Sequence, residues 1–346
     1  MAVLVDSLFV NNSGGKILLD YLVEELESRE VDVFYVFDER CRDSFSTIPA
    51  GRRVFLEGNI KQRHFFYKAN QLQFTKVLCL GNIPPTIRLK AEVLTYLQQL
   101  LYFNQPLDLG FKKKCKLYLK IWLVKRLLQN TDYWGVQSEN VSSLMEKNWG
   151  VSKDKIRVLP FYPPLSDLDK VIKCENKYLY VSGGNSHKNH YRLIDAFERF
   201  NRKYPEVELH LTISEKFPDL LNYMKAKTHN GVKIINHGFI QRHKLANLYK
   251  SSKFVIYPSL AESFGLGLVE AIELGCNIIA SDLPFVHAVC EPSLVFEPLD
   301  TDSIFKALIA SKISQIQPSS LKADNKIDTI ISFLAHETNT TVIQNR

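Results

Sequence analysis

Residues 254–275 read FVIYPSLAESFGLGLVEAIELG. Phe254 to Ser259 is a short, almost wholly apolar run of β-formers, long enough for a buried strand and too short for a core helix. A loop carrying Glu262, Ser263 and Phe264 follows. From about Gly265 to Leu274 the pattern turns helical, and Gly275 supplies a helix stop. A second apolar run, NIIASD, begins at Asn277. Strand, loop, helix and strand in that order make a β-α-β unit.

The same alternation extends in both directions. The first half offers AVLVD, VDVFYVF, RRVFLEG, KVLCL, AEVLTYL, YWGVQ and IRVLP as strands, with helical patterns near residues 15–28, 110–129 and 138–148. The second half offers KYLYVSG, VELHLTIS, VKIINHG, FVIYPS, NIIASD and SLVFEP, with helices at 189–204, 216–228, 242–251, 266–274 and 301–314. Apolar strands separated by such helices imply parallel sheets covered on both faces. The series restarts at Tyr178, after a linker-like YPP at Tyr162–Pro164 and a polar stretch. The expectation is therefore α/β, with two doubly wound Rossmann-like domains at 1–165 and 166–315. Residues 316–346 begin as an amphipathic helix and end in a polar tail. Ligands of such sheets bind outside the carboxyl ends of the strands, so a cleft between the two domains is the natural site.

Composition narrows the class. The chain has 346 residues, 45% of them hydrophobic and 23% charged, as in soluble globular proteins. No run of about 18 apolar residues would span a bilayer. The opening MAVLVDSLFVNNSGG has no basic residue before Lys16 and meets Asp6 early, so it reads as a first strand, not as a signal peptide. The six cysteines are scattered without a CxxC pair, which fits a reducing cytosol. His64, His187, His190 and His287 read as structural or solvated, and no cluster has metal-ligand spacing. The net charge of +7 is concentrated in Lys112 to Arg126, KKKCKLYLKIWLVKR, with seven basic residues and no acid. Two readings fit this stretch: a domain helix with solvated lysines, or a docking surface for an anionic membrane. No nucleic-acid module accompanies it.

Three loops carry the candidate chemistry. Were residues 262–270 one helix, Glu262 and Glu270 would lie about 80° apart around the axis and about 12 Å apart along it, a poor pair for sharing a proton. With Glu262 in the loop and Glu270 inside the helix, each acid can serve a different part of one elongated ligand. The glycines permit close backbone approach, and the N–H groups near Gly265 to Gly267 would face an anion. A carboxylate at Glu270 suits a vicinal diol. An ordinary strand-loop-helix with surface acids fits the spacing equally well. The second loop, in YVSGGNSHKNHYRLIDAF (Tyr180–Phe197), is a Gly183–Gly184 turn followed by Lys188 at a helix start, a cradle for phosphate. The third is Gly14–Gly15 in NNSGGKILLDYL, a flexible turn after the first strand.

These residues carry a resemblance. The segments YVSGG, HKN and LIDAF, the run GFI…KLANLYKSSKFVIYPSLAESFGLGLVEAIELGCNIIASDLP, and LVFEPLD together resemble the C-terminal domain of the retaining family 4 glycosyltransferases of GT-B fold. Glu262 and Glu270 match that family's E-x7-E motif. The likeness is specific over about residues 178–300 and weaker in the first half. It implies transfer of a sugar from a nucleotide-diphosphate sugar to an acceptor hydroxyl with retention. By that likeness Glu262 lies beside the donor sugar and Lys188 contacts the diphosphate, the two catalytic candidates. Glu270 holds the ribose diol. Ser263, Phe264, Gly265, Leu266, Gly183 and Gly184 complete the donor contacts, and Gly14 and Gly15 close from the other side. It also implies that the terminal helix crosses back to the first domain and that no metal or other cofactor is needed.

The sequence departs from the family at two places. Where many members carry an Arg before the phosphate lysine, Gly183 stands here, leaving backbone amides, Arg192 or Arg242 for that charge. Where members often have a His after the AEVLTYL strand, Gln98 or Gln99 stands, with Asn12 on the same acceptor or donor-sugar side. The implied acceptor is a glycan or a polyprenyl-diphosphate-linked glycan, in cell-surface polysaccharide assembly of the O-antigen, capsule or lipopolysaccharide type. The implied place is cytoplasmic, peripheral to the inner face of the cytoplasmic membrane. Competing readings are a nucleotide-sugar epimerase on the same fold and a non-catalytic nucleotide-sugar-binding subunit.

Overall fold

A computed structural model describes residues 2–103, 110–165 and 172–335. These fall into two compact units, one of Met1–Pro163 with Asn325–Arg346 and one of Pro164–Asp324. Most of the linker expected after Pro164, in residues 166–171, and the polar tail, in 336–346, lie outside the described residues.

The first unit is built on seven strands: β1 (Ala2–Asp6), β2 (Val33–Asp38), β3 (Arg53–Leu56), β4 (Phe74–Cys79), β5 (Glu92–Leu97), β6 (Tyr133–Val136) and β7 (Ile156–Val158). They form one sheet in the order β3-β2-β1-β4-β5-β6-β7, parallel at every pairing. Its helices are α1 (Ser13–Ser28), α2 (Ile60–Asn70), α3 (Phe111–Arg126) and α4 (Glu139–Trp149). The start and stop of α4 follow from its sequence. The Ser138 side chain accepts from the Val141 N–H, and Gly150 ends the helix at φ +66°.

α2 has no counterpart in the sequence expectation. Its buried residues are Arg63 and Tyr67, one turn apart, so its inward stripe is polar and escapes an apolar template. Arg63 donates to Asp6 Oδ2 at 2.7 Å and to the carbonyls of Ile83 and Pro84 at 2.8 and 2.7 Å. The Tyr67 hydroxyl donates to the same Asp6 oxygen. This fully bonded cluster compensates the removal of three polar groups from water.

The second unit holds β8 (Cys174–Tyr180), β9 (Glu208–Leu211), β10 (Ile234–Asn236), β11 (Ser252–Tyr257), β12 (Asn277–Ser281), a short β13 (Cys290–Glu291), β14 (Leu294–Phe296) and β15 (Ser320–Leu321). Six of them form a parallel sheet in the order β10-β9-β8-β11-β12-β14, while β13 and β15 make a separate antiparallel pair. The helices are α5 (His190–Lys203), α6 (Pro218–His229), α7 (Arg242–Ser251), α8 (Leu266–Glu273), α9 (Pro284–Val289) and α10 (Thr301–Ile313). The β13–β15 pairing carries the second unit beyond residue 315, where sequence alone placed its end.

The last described helix, α11 (Ile327–Ala335), belongs to the first unit. It buries Ile327, Ile330, Ile331 and Leu334. Its Asp328 pairs with Arg29 at 2.7 Å, and the Phe333 carbonyl accepts from Lys76 at 2.7 Å.

Both sheets change direction of strand order once, between β1 and β4 in the first and between β8 and β11 in the second. In a doubly wound sheet that switch opens a crevice at the carboxyl ends of the two strands. The loops following β8 and β11 are those that carry Lys188 and Glu262.

Candidate functional site

β8 ends in Tyr180, and the chain turns through Ser182–Gly183–Gly184 into a 3₁₀ turn, Ser186–Lys188, before α5. A Cβ on Gly184 would sit 2.6 Å from the Phe217 ring, so only glycine fits there without displacing that ring. Gly183 has ordinary clearance. The Asn189 backbone is left-handed at φ +61°, and its side chain is anchored on the Pro298 carbonyl at 2.7 Å.

β11 ends in Tyr257, and the loop from Pro258 to Gly265 leads into α8. Gly265 takes φ +92° as the residue before that helix, a conformation that L side chains avoid. Gly267, in the first turn of α8, has Tyr257 and Tyr249 atoms 3.3 and 3.4 Å from where a Cβ would be. A Cβ there would be tight against the Tyr257 ring, which would have to give by a few tenths of an ångström, and would touch the Tyr249 hydroxyl. The sequence reading used both glycines for their backbone N–H groups but not for the packing of Gly267 against the two tyrosines.

The two loops meet. Lys188 Nζ donates to Glu262 Oε1 at 2.5 Å, with both side chains largely shielded. The Leu260 N–H donates to the His187 carbonyl at 2.8 Å, fixing one loop to the other through the backbone. The buried Tyr180 hydroxyl reaches both: it donates to the Lys188 carbonyl at 3.1 Å and bonds Ser259 Oγ at 2.8 Å. Burial, and after it the nearby Glu262 carboxylate, push the Tyr257 phenol far up. Ser263 and the buried Phe264 lie between this pair and the helix start.

Glu270 stands in the second turn of α8, 4% exposed. Its Oε1 accepts from Arg242 Nε at 3.0 Å and its Oε2 from the Tyr249 hydroxyl at 3.3 Å. Burial raises its pKa, and Arg242 and Tyr249 oppose that rise. Of the two arginines left open by the sequence, Arg242 is thus bound to Glu270, and Arg192 donates to Asn189 Oδ1 at 3.0 Å.

His190, the first residue of α5, is buried against the Tyr180 ring with 4.9 Å between centroids. Its Nε2 lies 3.1 Å from Ser182 Oγ, while Nδ1 has no partner. Burial, with Lys188 nearby, pulls its pKa down to about 3, so it is neutral at ordinary pH and holds the glycine turn without adding charge. His64 bonds Thr86 at 3.1 Å and His287 bonds Asp282 at 2.7 Å.

In the first unit, Gly15 and Gln98 come together. Gln98 Oε1 is 3.2 Å from where a Gly15 Cβ would lie, and Gln98 Nε2 donates to the Leu80 carbonyl at 3.3 Å. The Gln98 N–H donates to Asn82 Oδ1 at 2.5 Å. Gly14 faces open space, Asn12 precedes α1 without capping it, and Gln99 opens a short 3₁₀ turn. Among the described residues no group of three or more His, Cys, Asp or Glu is placed to hold a metal. A cavity of about 760 Å³ in this unit, lined by Phe74, Glu92 and Tyr133 among others, opens at the amino-terminal edge of the sheet and holds none of these residues.

Residues 169–317 match the family described as glycosyl transferases group 1. That span holds Lys188, Glu262 and Glu270. The chain is 21% identical over 223 residues to the O-antigen chain mannosyltransferase RfbU of Salmonella typhimurium, covering 61% of this chain and 59% of that one. The curated relatives it matches are spanned over 20 to 59% of their own lengths. Among solved structures, sucrose-phosphate synthase from Thermosynechococcus elongatus superposes with TM-score 0.69 at 15% identity, covering 89% of each chain. HepE from Anabaena, in complex with UDP and glucose, superposes with TM-score 0.68 at 13% identity, covering 90% of each. The fold is GT-B.

Proposed function

We propose that this chain transfers a glycosyl residue, with retention at the anomeric carbon, from a nucleotide-diphosphate sugar to a hydroxyl of a glycan or lipid-linked glycan. The observation that carries this reading is the pairing of Lys188 with Glu262 in the loop before α8, with Glu270 in the second turn of that helix, inside the span that matches group 1 glycosyl transferases. HepE is described with UDP and glucose bound, which supports a nucleotide-sugar donor. RfbU is described as an O-antigen chain mannosyltransferase, which supports cell-surface polysaccharide assembly.

On this reading the diphosphate lies over the amino terminus of α8, where N–H groups and the helix dipole favour an anion. Gly183 and Gly184 let the backbone close on the phosphates. Lys188 leaves Glu262 to meet the β-phosphate, and Glu262 then hydrogen-bonds the transferred sugar. Glu270 keeps lone pairs beyond those used by Arg242 and Tyr249, and these accept the ribose hydroxyls. In the chemical step the bond from the anomeric carbon to the β-phosphate oxygen breaks. The acceptor oxygen bonds that carbon on the same face, and its proton passes to the departing phosphate. Lys188 stabilises the charge that develops on that oxygen, so Lys188→Gln should lower kcat about 10²- to 10³-fold. Gln98, beside Gly15, lines the acceptor side.

Thermal-shift screening with UDP, GDP, dTDP and their sugars tests the donor. A ligand at about 100 times its Kd adds about 2.7 kcal/mol of stability. Glu270→Ala should weaken nucleotide binding by about 2 kcal/mol, because a buried diol loses its acceptor. Transfer followed by NMR gives the anomer of the product. Conversion of donor to an isomer without acceptor would replace this reading by an epimerase. Binding without turnover on any acceptor extract would leave a binding subunit.

A further inference from the structure

α3 buries Ile121 and Val124 and half-buries Leu117, which lie within one narrow arc of the helix. A soluble helix of this kind should turn its remaining large apolar residues the same way. This one does not. Tyr118 is 52% exposed, Leu119 64% and Trp122 61%, and Cys115 is exposed as well. At about 100° per residue these four cover an arc of about 100°, roughly opposite the buried one. The same projection puts Lys112, Lys116 and Lys120 along one border of the outer stripe and Lys114 and Lys125 along the other, with Arg126 at its end. All six of these basic residues are exposed, and the helix contains no acid.

We propose that the outward face of α3 is a docking surface for an anionic phospholipid bilayer, with Tyr118, Leu119 and Trp122 entering the headgroup–acyl boundary and the flanking lysines reaching the lipid phosphates. The two sequence readings of this helix differ in where its apolar side chains should go, and outward-facing apolar residues are unaccounted for by solvated lysines alone. The arrangement is that of an interfacial helix: an apolar stripe at the centre and cations on both borders, their stems lying along the apolar surface and their ammonium groups at headgroup level. Charge alone would suit other polyanions. A stripe of Leu, Trp and Tyr between the cations is matched by a bilayer, which offers hydrocarbon beside phosphate. Docking would hold the first unit at a surface where a lipid-linked acceptor is concentrated. It is read without turnover, so it can fail while the glycosyl-transfer reading stands, or hold while that reading fails.

The full chain is mixed with vesicles of phosphatidylcholine alone or with about a third phosphatidylglycerol, and partition is measured by flotation. Binding is expected to the anionic vesicles and not to the neutral ones, and to weaken as salt rises. Lys112→Gln and Lys116→Gln should each lower the partition coefficient about fivefold. The doubly substituted Leu119→Ser/Trp122→Ser chain should lose at least tenfold at unchanged Tm, since both side chains already face water. Trp134 is buried and Trp149 packs against Tyr102, Phe103 and Trp134, so Trp122 is the reporter. Its emission should shift to the blue on anionic vesicles and lose iodide quenching, and Trp122→Phe should bind yet show no shift. Equal binding to neutral vesicles, or Trp122 staying fully quenchable when bound, overturns the proposal. So does tighter binding to an oligonucleotide that the serine pair leaves unchanged, or a solution dimer that the serine pair dissolves.

Discussion

Glu270 has its carboxylate almost out of water, and that position governs when it can act. Burial favours its neutral form, so its pKa lies above the ordinary 4.5, while Arg242 and the Tyr249 hydroxyl hold it down by bonding the charged form. On the proposed reading Glu270 binds the ribose hydroxyls, and its ionised form is the stronger acceptor for them. Donor affinity should therefore be constant above this raised pKa and fall as pH drops through it, giving an acid limb above 4.5. Tyr249→Phe removes one donor to the ionised form, so the pKa rises further and the limb moves to higher pH. A profile of donor KM against pH for both proteins checks this. A limb that stays in place would separate Glu270 from the donor. Lys188 and Glu262 were legible in the sequence because a loop lysine and a spaced acid stand out among apolar residues. Tyr249, Tyr257 and Tyr180 were not, because a tyrosine in an apolar run looks like core until the direction of its hydroxyl is known.

At the scale of elements, the site is two loops joined at three points. The side-chain pair Lys188–Glu262 and the backbone bond from Leu260 to His187 are two of them. The third is Tyr180, whose hydroxyl binds the carbonyl of Lys188 in one loop and Ser259 in the other. Tyr180→Phe removes one oxygen and leaves the ring packed on His190. The variant should stay folded, lose about 1 kcal/mol or somewhat more of stability, and raise donor KM more than it lowers kcat. Ser259→Ala should do less, and the double variant should add little to Tyr180→Phe, because both remove the same tie. Additive effects in that cycle would mean the hydroxyl acts on one loop alone. The helices themselves differed in legibility for a related reason. α4 and α10 announce their starts with Ser138 and Asp300, whose side chains accept from the first turn. α2 hides because it buries Arg63 and Tyr67, and α9 because six residues are too few to show a period.

For the molecule as a whole, the restart of the β-α series at Tyr178 was visible because each parallel sheet needs its own run of apolar strands. What no strand pattern announces is that α11, following the whole second unit in sequence, packs into the first. Its hydrophobic face predicts burial but does not say against what. Ile330 is fully buried and Leu334 nearly so, and the Phe333 carbonyl between them caps the buried Lys76 of β4. Ile330→Ala should cost about 2 to 4 kcal/mol, the transfer of lost methyl groups plus the cavity left behind. The loss should appear where α11 packs. Hydrogen exchange should quicken in peptides covering β4 and β1 and stay unchanged across β11 and α8, because opening free energies follow the local cooperative unit. Addition of a binding nucleotide should give the reverse pattern, slowing exchange in the loops after β8 and β11 while β4 keeps its rate. Faster exchange across α8 in Ile330→Ala would show instead that α11 supports the second unit, and the helix would then have to be reassigned.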